Sequence, residues 1–224
     1  MIELHEVIFR YPHSSFKLRI DALQIAASER VAFVGPSGSG KTTLLNLLSG
    51  IDIPQHGTIS VAGQNLNSMS DARRRDFRIT RIGMVFQQFE LIPYLNVTNN
   101  VLLPYRINSR LRLDGGVRER CRELLRLVGL EDKEHRFPHQ LSQGEQQRTA
   151  LCRALIHEPG LILADEPTGN LDPENKHKVI DILFQQTESV DRGLIVVTHD
   201  ESILNGFDRI VDFREFLQTA EVNK

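Results

Sequence analysis

Apolar residues in this chain gather in short blocks that end on glycine, glutamine, acids or histidine. "RVAFVG" (Arg30 to Gly35) runs apolar into a Gly/Ser-rich turn and then into "KTTLLNLLSG", a helical pattern closed by Gly50. That is half of a βαβ unit. "HGTISVAG" reads as a strand with Ile59 and Val61 on one face. "RIGMVFQ" (Arg81 to Gln87), "GLILADEP" and "GLIVVTHD" read as three more, the last two ending in acids and in His-Asp. Strands that are apolar throughout point to a parallel sheet covered on both faces. The amino-terminal "MIELHEVIFRYP" alternates like a further strand.

Between Gln88 and Pro159 the period becomes helical. In "VRERCRELLRLVGL", Val117, Cys121, Leu124, Leu125 and Val128 recur at the spacing of one helix face. Ala150, Leu151, Ala154 and Leu155 do likewise after the stretch "LSQGEQQR". The pattern predicts a single α/β domain whose core, about residues 1–87 and 159–224, is interrupted by a helical insert over about 88–158. Asp114-Gly115-Gly116 is a turn inside that insert. No internal repeat or low-complexity segment is apparent.

Composition narrows the class. The 224 residues, 40% hydrophobic and 25% charged, suit a globular protein with length to bury a core. A net charge of −2 exerts no general pull on nucleic acid or anionic lipid, so no nucleic-acid partner is expected. Arg73-Arg74-Arg75 reads as a solvated helix face. Cys121 and Cys152 both fall in helical patterns and make no disulfide framework, which places the chain in a reducing compartment. The amino terminus lacks the apolar region of a signal peptide, and runs such as "LILA" and "LIVV" fall far short of the roughly 20 residues a membrane helix needs. A cytoplasmic chain is expected, in which the sequon Asn96-Val97-Thr98 is chance.

"GPSGSGKTT" matches G-x-x-x-x-G-K-[ST] from Gly35 to Thr42. Its glycines turn backbone N–H groups inward as an anion cradle, and the helix that follows adds its positive end. Gly35, Pro36, Ser37, Gly38, Ser39, Gly40, Lys41, Thr42 and Thr43 are the candidate nucleotide-binding residues. Lys41 would neutralise β- and γ-phosphate oxygens, and the Thr42 hydroxyl would bind Mg²⁺. "LILADEP" puts Asp165 and Glu166 at the carboxyl end of a buried strand, where α/β sheets bind ligands. Asp165 would hold Mg²⁺, and Glu166 would orient or deprotonate a water attacking the γ-phosphate. Gln87, closing its strand, would sense Mg²⁺ or that water, and His199, closing another, would hydrogen-bond the γ-phosphate. A surface carboxylate and a structural histidine are the bland readings of Glu166 and His199. "LSQGEQQR" is locally a helix start, with Ser142 and Glu145 forming an S-x-x-E capping box.

Taken together, the phosphate loop, acidic strand end, Gln87, His199 and "LSQGEQQR" resemble the ATP-binding cassette (ABC) ATPases over nearly the whole chain. "LSQGEQQR" is similar to that family's signature motif. The resemblance implies a P-loop NTPase core with a mixed, mainly parallel sheet, an inserted helical subdomain, and ATP with Mg²⁺ as ligands. It also implies a second copy of the chain packed head to tail, so that Ser142 and Gly144 reach the partner's γ-phosphate. Asn170-Leu171-Asp172 looks like the loop that communicates across such a dimer, with Asp172 at the nucleotide, and Tyr11 like the aromatic that stacks on adenine.

"ADEPTGNLD" and "FQQFELIPYLNV" most resemble small stand-alone cassettes of the lipoprotein-releasing, macrolide- and peptide-export and cell-division type. Such cassettes work through a separate membrane permease, so a peripheral place on the cytoplasmic face of the cell membrane is implied. Phe89, Leu91, Ile92, Pro93, Tyr94 and Leu95 either dock that permease or pack the helical insert internally. Three departures stand out: Gln143 in place of the commoner glycine, Asn96 and Asn99 where relatives often carry Thr and Glu, and a tail without the usual Asp-Gly turn, which predicts an altered last hairpin. The alternative is an ABC-type ATPase serving a non-transport process such as cell-wall hydrolysis or nucleic-acid maintenance. A chromosome-organising or repair ATPase would need a long coiled-coil insertion, and no heptad run separates Lys41 from Ser142.

Overall fold

The structure is a computed structural model that describes residues 1–169, 171–188 and 192–216. In chain order the elements are β1 (Ile2–Arg10), β2 (Lys17–Ile25), β3 (Arg30–Val34), α1 (Lys41–Leu48), β4 (His56–Val61), β5 (Gln64–Asn65), α2 (Asp71–Arg81) and β6 (Ile82–Val85). Then come α3 (Val97–Val101), α4 (Leu103–Ile107), α5 (Gly115–Leu127), α6 (Gln143–Leu155), β7 (Leu161–Asp165), α7 (Pro173–Glu188), β8 (Gly193–Thr198) and β9 (Arg209–Asp212).

Parallel and antiparallel strands segregate into two sheets. Five strands pair in the order β6-β7-β8-β3-β9, every neighbour parallel. The other sheet, β2-β1-β4-β5, is antiparallel. The side-chain pattern explains the division. All six residues of β8 are buried, as a strand covered on both faces requires, whereas β1 and β2 mix buried with exposed positions. Ile59 and Val61 of β4 share the buried face, opposite Leu4 and Ile2 of β1.

Alternate residues of the parallel sheet feed two cores. Ile162, Ala164, Leu194 and Val196 pack with α3, α5, α6 and α7; Leu163, Ile195, Val197 and Phe33 pack with α1 and the antiparallel sheet. The predicted helix face is realised, since Cys121, Leu124, Leu125 and Val128 are buried and Val117 packs against them. Each fully buried Leu or Ile contributes about 1.5–3 kcal/mol relative to exposure, so these two clusters hold the domain together. Burial pushes the Cys121 thiol up to about 11 and the Cys152 thiol higher still, which makes both inert packing groups.

Two sequence expectations are refined. In the arginine triplet only Arg73 and Arg75 lie on a solvated face; Arg74 donates from Nε to the Gly50 carbonyl and from NH1 to that of Met69, closing the end of α1. At the carboxyl end β9 runs parallel to β3 and continues into a 3₁₀ turn, Phe213–Phe216, with Phe213 fully buried. Asn170 and the tail beyond Phe216 lie outside the described residues.

The end of α6 presses on β6. A Cβ at Gly83 would lie 2.4 Å from the Ala154 carbonyl oxygen, so only glycine fits there. Just beyond, His157 Nε2 donates to the Ile82 carbonyl at 3.2 Å, and burial lowers this imidazole to about 4. Because the folded state binds the proton later than a free histidine near 6.5, stability is full above that value and falls as pH drops toward 4. We expect the unfolding free energy to fall by about 1–2 kcal/mol between pH 7 and pH 5 from this group alone. Denaturant titration of His157→Gln, which has no such proton to take up, should show a correspondingly shallower loss.

Candidate functional site

Sheet register assembles the site. Val34 of β3 lies beside Thr198 of β8, and Asp165 of β7 beside Val197, so three strands end level. The residues that follow each strand therefore meet at one edge: the loop from Gly35, the carboxylate of Glu166, and His199. β6 pairs Val85 with Ala164, which carries Gln87 to the same edge. A cavity of about 390 Å³ there is lined by Tyr11, Phe16, Ser37, Gly38, Gly40, Lys41, Thr42, Thr43, Gln87, Asp165, Glu166 and His199.

The loop is shaped for an anion. Gly38 and Gly40 take positive φ of 78° and 98°, which glycine adopts without strain. Gly40 sits at the N-cap of α1 and has no side chain to cap it, and no acidic residue occupies the first turn. The first N–H groups of that helix, which find no partner inside it, are left to a ligand along with the positive end of its dipole. Lys41 is buried, its ammonium donating to the carbonyls of Gly35 (2.7 Å) and Pro36 (3.0 Å) and lying 3.8 Å from Glu166 Oε1. The Ser39 hydroxyl is buried without a hydrogen-bond partner. Below the loop, a Cβ at Gly35 would come within 3.1 Å of Phe213 Cβ.

Opposite lie the carboxylates. Asp165 is held above its ordinary range by burial, against which a hydrogen bond from Thr42 works. The Thr42 hydroxyl, Asp165 carboxylate and Gln87 amide are hard oxygen donors, a set that fits Mg²⁺ shared with phosphate oxygens. Glu166 adopts φ of 44°, a conformation costing on the order of 1–3 kcal/mol outside glycine. It is kept there by a backbone bond from its N–H to the Val197 carbonyl (2.9 Å). Its buried carboxylate accepts from Thr198 Oγ1 (3.1 Å), from the His199 amide (3.3 Å) and from His199 Nδ1 (2.8 Å). The acid and the histidine are thus one hydrogen-bonded unit. At the rim, the Tyr11 hydroxyl shares a hydrogen bond with Thr43 Oγ1 (3.2 Å), and its ring meets Phe9 edge-on with centroids 4.8 Å apart.

Ser142, Gly144 and Asp172 do not line this cavity. Ser142 caps α6 as expected: its N–H donates to Glu145 Oε2 (2.7 Å) and its Oγ accepts from the Glu145 N–H (3.3 Å). Asp172 accepts from the Asn175 N–H (3.0 Å) at the start of α7. Gly144 packs on Asn175, and Gln147 Nε2 donates to the Pro167 carbonyl at 2.6 Å, tying α6 to the loop after Glu166. Sequence reasoning missed Phe16, Thr198, Asn175 and Phe213. Thr198 alone carried a signal, as the polar residue before His199 at the end of an otherwise apolar strand.

A glycine-lined helix start facing paired carboxylates at the switch edge of a parallel sheet defines a P-loop nucleotide-hydrolysing protein. Residues 18–169 match the family described as ABC transporter, and the chain belongs to it as an ATPase. It is 45% identical over 201 residues to an uncharacterized ABC transporter ATP-binding protein of Mycobacterium tuberculosis, covering 88% of this chain and 78% of that one. The lipoprotein-releasing system ATP-binding protein LolD of Legionella pneumophila is 38% identical over 86% of this chain and 84% of its own length. A macrolide export ATP-binding/permease protein, MacB of Rhodopirellula baltica, is 41% identical over 90% of this chain, which spans 30% of that larger protein. Among solved structures, a dimeric ATP-binding cassette in a post-hydrolysis state bound to ADP and Pi superposes with a TM-score of 0.85, at 36% identity, over 94% of this chain and 93% of that one.

Lys41 is the one lysine lining the cavity among the described residues. Lys41→Ala is expected to weaken ATP binding at least about tenfold, the loss of one charge-assisted contact. Calorimetric titration of ATP into the variant checks this, and unchanged affinity would remove Lys41 from the binding site.

Proposed function

We propose that two copies of this chain close head to tail on two ATP molecules and hydrolyse them to drive a membrane permease. The observation that carries this reading is the division of the site residues. Phosphate loop, carboxylates, Gln87 and His199 share one cavity, while Ser142 and Gly144 sit outside it at the start of α6 and Asp172 at the start of α7. One chain holds two half-sites, and a second copy completes both. The similar cassette solved as a dimer supports the arrangement.

The roles follow from the geometry. The loop from Gly35 to Thr43 binds the triphosphate through N–H groups and Lys41, and Tyr11 with its neighbour Phe16 offers aromatic faces to the base. Thr42, Asp165 and Gln87 would hold Mg²⁺, which would supply positive charge against the triphosphate. Glu166 orients the attacking water and accepts its proton. His199 has Nδ1–H committed to Glu166, so a hydrogen bond from Nε2 to a γ-phosphate oxygen requires the doubly protonated ring. From the partner, the Ser142 hydroxyl and the positive start of α6 meet the same phosphate. ATP holds the dimer because each γ-phosphate is bound from both sides.

A groove of about 430 Å³ supports the permease. It is lined in part by Met84, Phe86, Leu103, Pro104 and Ile107, with Ile107 two-thirds exposed (67%). Phe86 immediately precedes Gln87, so pressure in this groove reaches the nucleotide edge through a single peptide link. Of the apolar stretch Phe89 to Leu95, Tyr94 is 77% exposed and free to meet a partner. No helix among the described residues is long and apolar enough to cross a membrane.

Glu166→Gln should bind ATP, elute as a dimer with saturating Mg-ATP, and lose about 10²–10⁴-fold in kcat, the share of a positioned general base. A monomeric elution profile would defeat the shared-pocket reading. Mixed dimers carrying Lys41→Ala on one copy and Ser142→Arg on the other keep one intact composite pocket. They should turn over ATP at roughly half the native rate, whereas dimers made wholly of either variant should be inactive.

A further inference from the structure

We propose that the first turn of α7 links the two half-sites of one chain, with Asn175 and Lys176 as its positioning residues. The proposal rests on the shared-pocket reading above. Neither residue touches the cavity; each acts through groups that belong to a half-site.

Asn175 faces the half-site offered to the partner. Its Oδ1 accepts from Arg148 NH1 of α6 (2.7 Å), and its Nδ2 donates to Asp172 Oδ2 (2.6 Å). A Cβ at Gly144 would stand 3.1 Å from the Asn175 amide carbon, so the glycine lets this side chain lie flat against the start of α6. One amide therefore sets α6 and the Asp172 loop in fixed relation. Their two candidate contacts with the partner's nucleotide present as one face.

Lys176, the next residue, faces the half-site the chain keeps. Its Nζ is 2.5 Å from Asp200 Oδ2, and this bond is the largest cause holding Asp200 down at about 2. The Asp200 N–H donates to Thr198 Oγ1 (3.0 Å), and that hydroxyl donates to Glu166 Oε2 (3.1 Å). The chain of bonds thus runs from Arg148 through Asn175, along one peptide link of α7, to Lys176, Asp200, Thr198 and Glu166. Closure of the partner's phosphate against α6 moves α7, and α7 carries that movement to the carboxylate and His199 of its own pocket.

The helix itself is anchored elsewhere. Val179, Ile180, Ile182 and Leu183 are buried in the core, and the Gln147 bond to Pro167 is independent of both positioning residues. The Lys176–Asp200 pair is one contact at the start of a helix of 16 residues whose apolar side is packed further along. Substituting Asn175 and Lys176 should therefore disturb coupling and leave the fold intact.

The test uses the Glu166→Gln chain, whose dimer reports ATP-driven closure. Adding Asn175→Ala with Lys176→Ala should raise the ATP concentration for half-maximal dimerisation by about 5- to 100-fold, the usual range of site–site coupling. In the chain with native Glu166 the same pair should raise KM for ATP in step with the shift in closure, lower kcat, and bring the Hill coefficient for ATP toward 1. Lys176→Arg, which keeps the ion pair, should behave as the native chain. If the alanine pair lowers the melting temperature, Asn175→Asp is read instead: it keeps the size and the Arg148 contact but sets a carboxylate against Asp172, and must shift closure in the same direction. An unshifted ATP requirement and an unchanged Hill coefficient would overturn the link. Failure of Glu166→Gln alone to dimerise would overturn the shared pocket instead, so the two failures are told apart.

Discussion

Everything chemical in this domain depends on the stagger of one parallel sheet. Hydrogen-bonded registry sets β3, β7 and β8 to end at the same height, so the residues immediately beyond them are forced into contact range. A parallel strand buried on both faces has no freedom to slip, because a shift of one residue would exchange its two cores. The precision of the site is thus inherited from apolar packing. Glu166 shows how far this goes: its backbone is held in a left-handed conformation by a bond to the neighbouring strand, and its carboxylate is fixed by the histidine and threonine that strand delivers.

Much of this was legible in the sequence. Buried parallel strands announce themselves as unbroken apolar runs, and a helix face as a 3.6 period, so β3, β6, β7, β8, α5 and α6 were readable. Gln87, Asp165, Glu166 and His199 stood out because each closes one of those runs, Gly35 to Thr43 through the G-x-x-x-x-G-K-[ST] match, and Tyr11 only through the family resemblance. What was not legible came from weaker signals. β2 and β9 are partly exposed strands with mixed patterns, and α2 is a helix whose apolar face is almost absent, Phe77 being its one buried residue. α7 begins at Pro173, continues with polar residues and shows its apolar side only from Val179 onward. Asn175 and Phe16 act through partners distant in sequence, which no local pattern records.

Local and long-range roles coincide at several positions. Ser142 and Glu145 form the capping box that any amphipathic helix might use as a start, yet the same box fixes where the helix points its positive end. Asp172 is likewise an acceptor for the first turn of α7 before it is anything else. Arg74, in what looks like a charged surface run, bonds the Gly50 carbonyl just past α1 and the Met69 carbonyl before α2, tying the two helices' ends together. In each case a residue type chosen for backbone satisfaction supplies the orientation that the chemistry then uses.

The strand that leads into the phosphate loop has an unusual pair of neighbours. β3 is hydrogen-bonded on one side to β8 and on the other to β9, and Phe213 follows β9 to support Gly35 from below. Both flanking strands are translated about 160 residues or more after β3 itself. On the ribosome the growing chain accordingly carries the glycine loop without the frame that shapes it, and competence for nucleotide arrives only as the final strands emerge. Synthesis of β9 thus completes the frame around β3, and a polypeptide cut short before it lacks both a flanking strand and the Phe213 that backs Gly35.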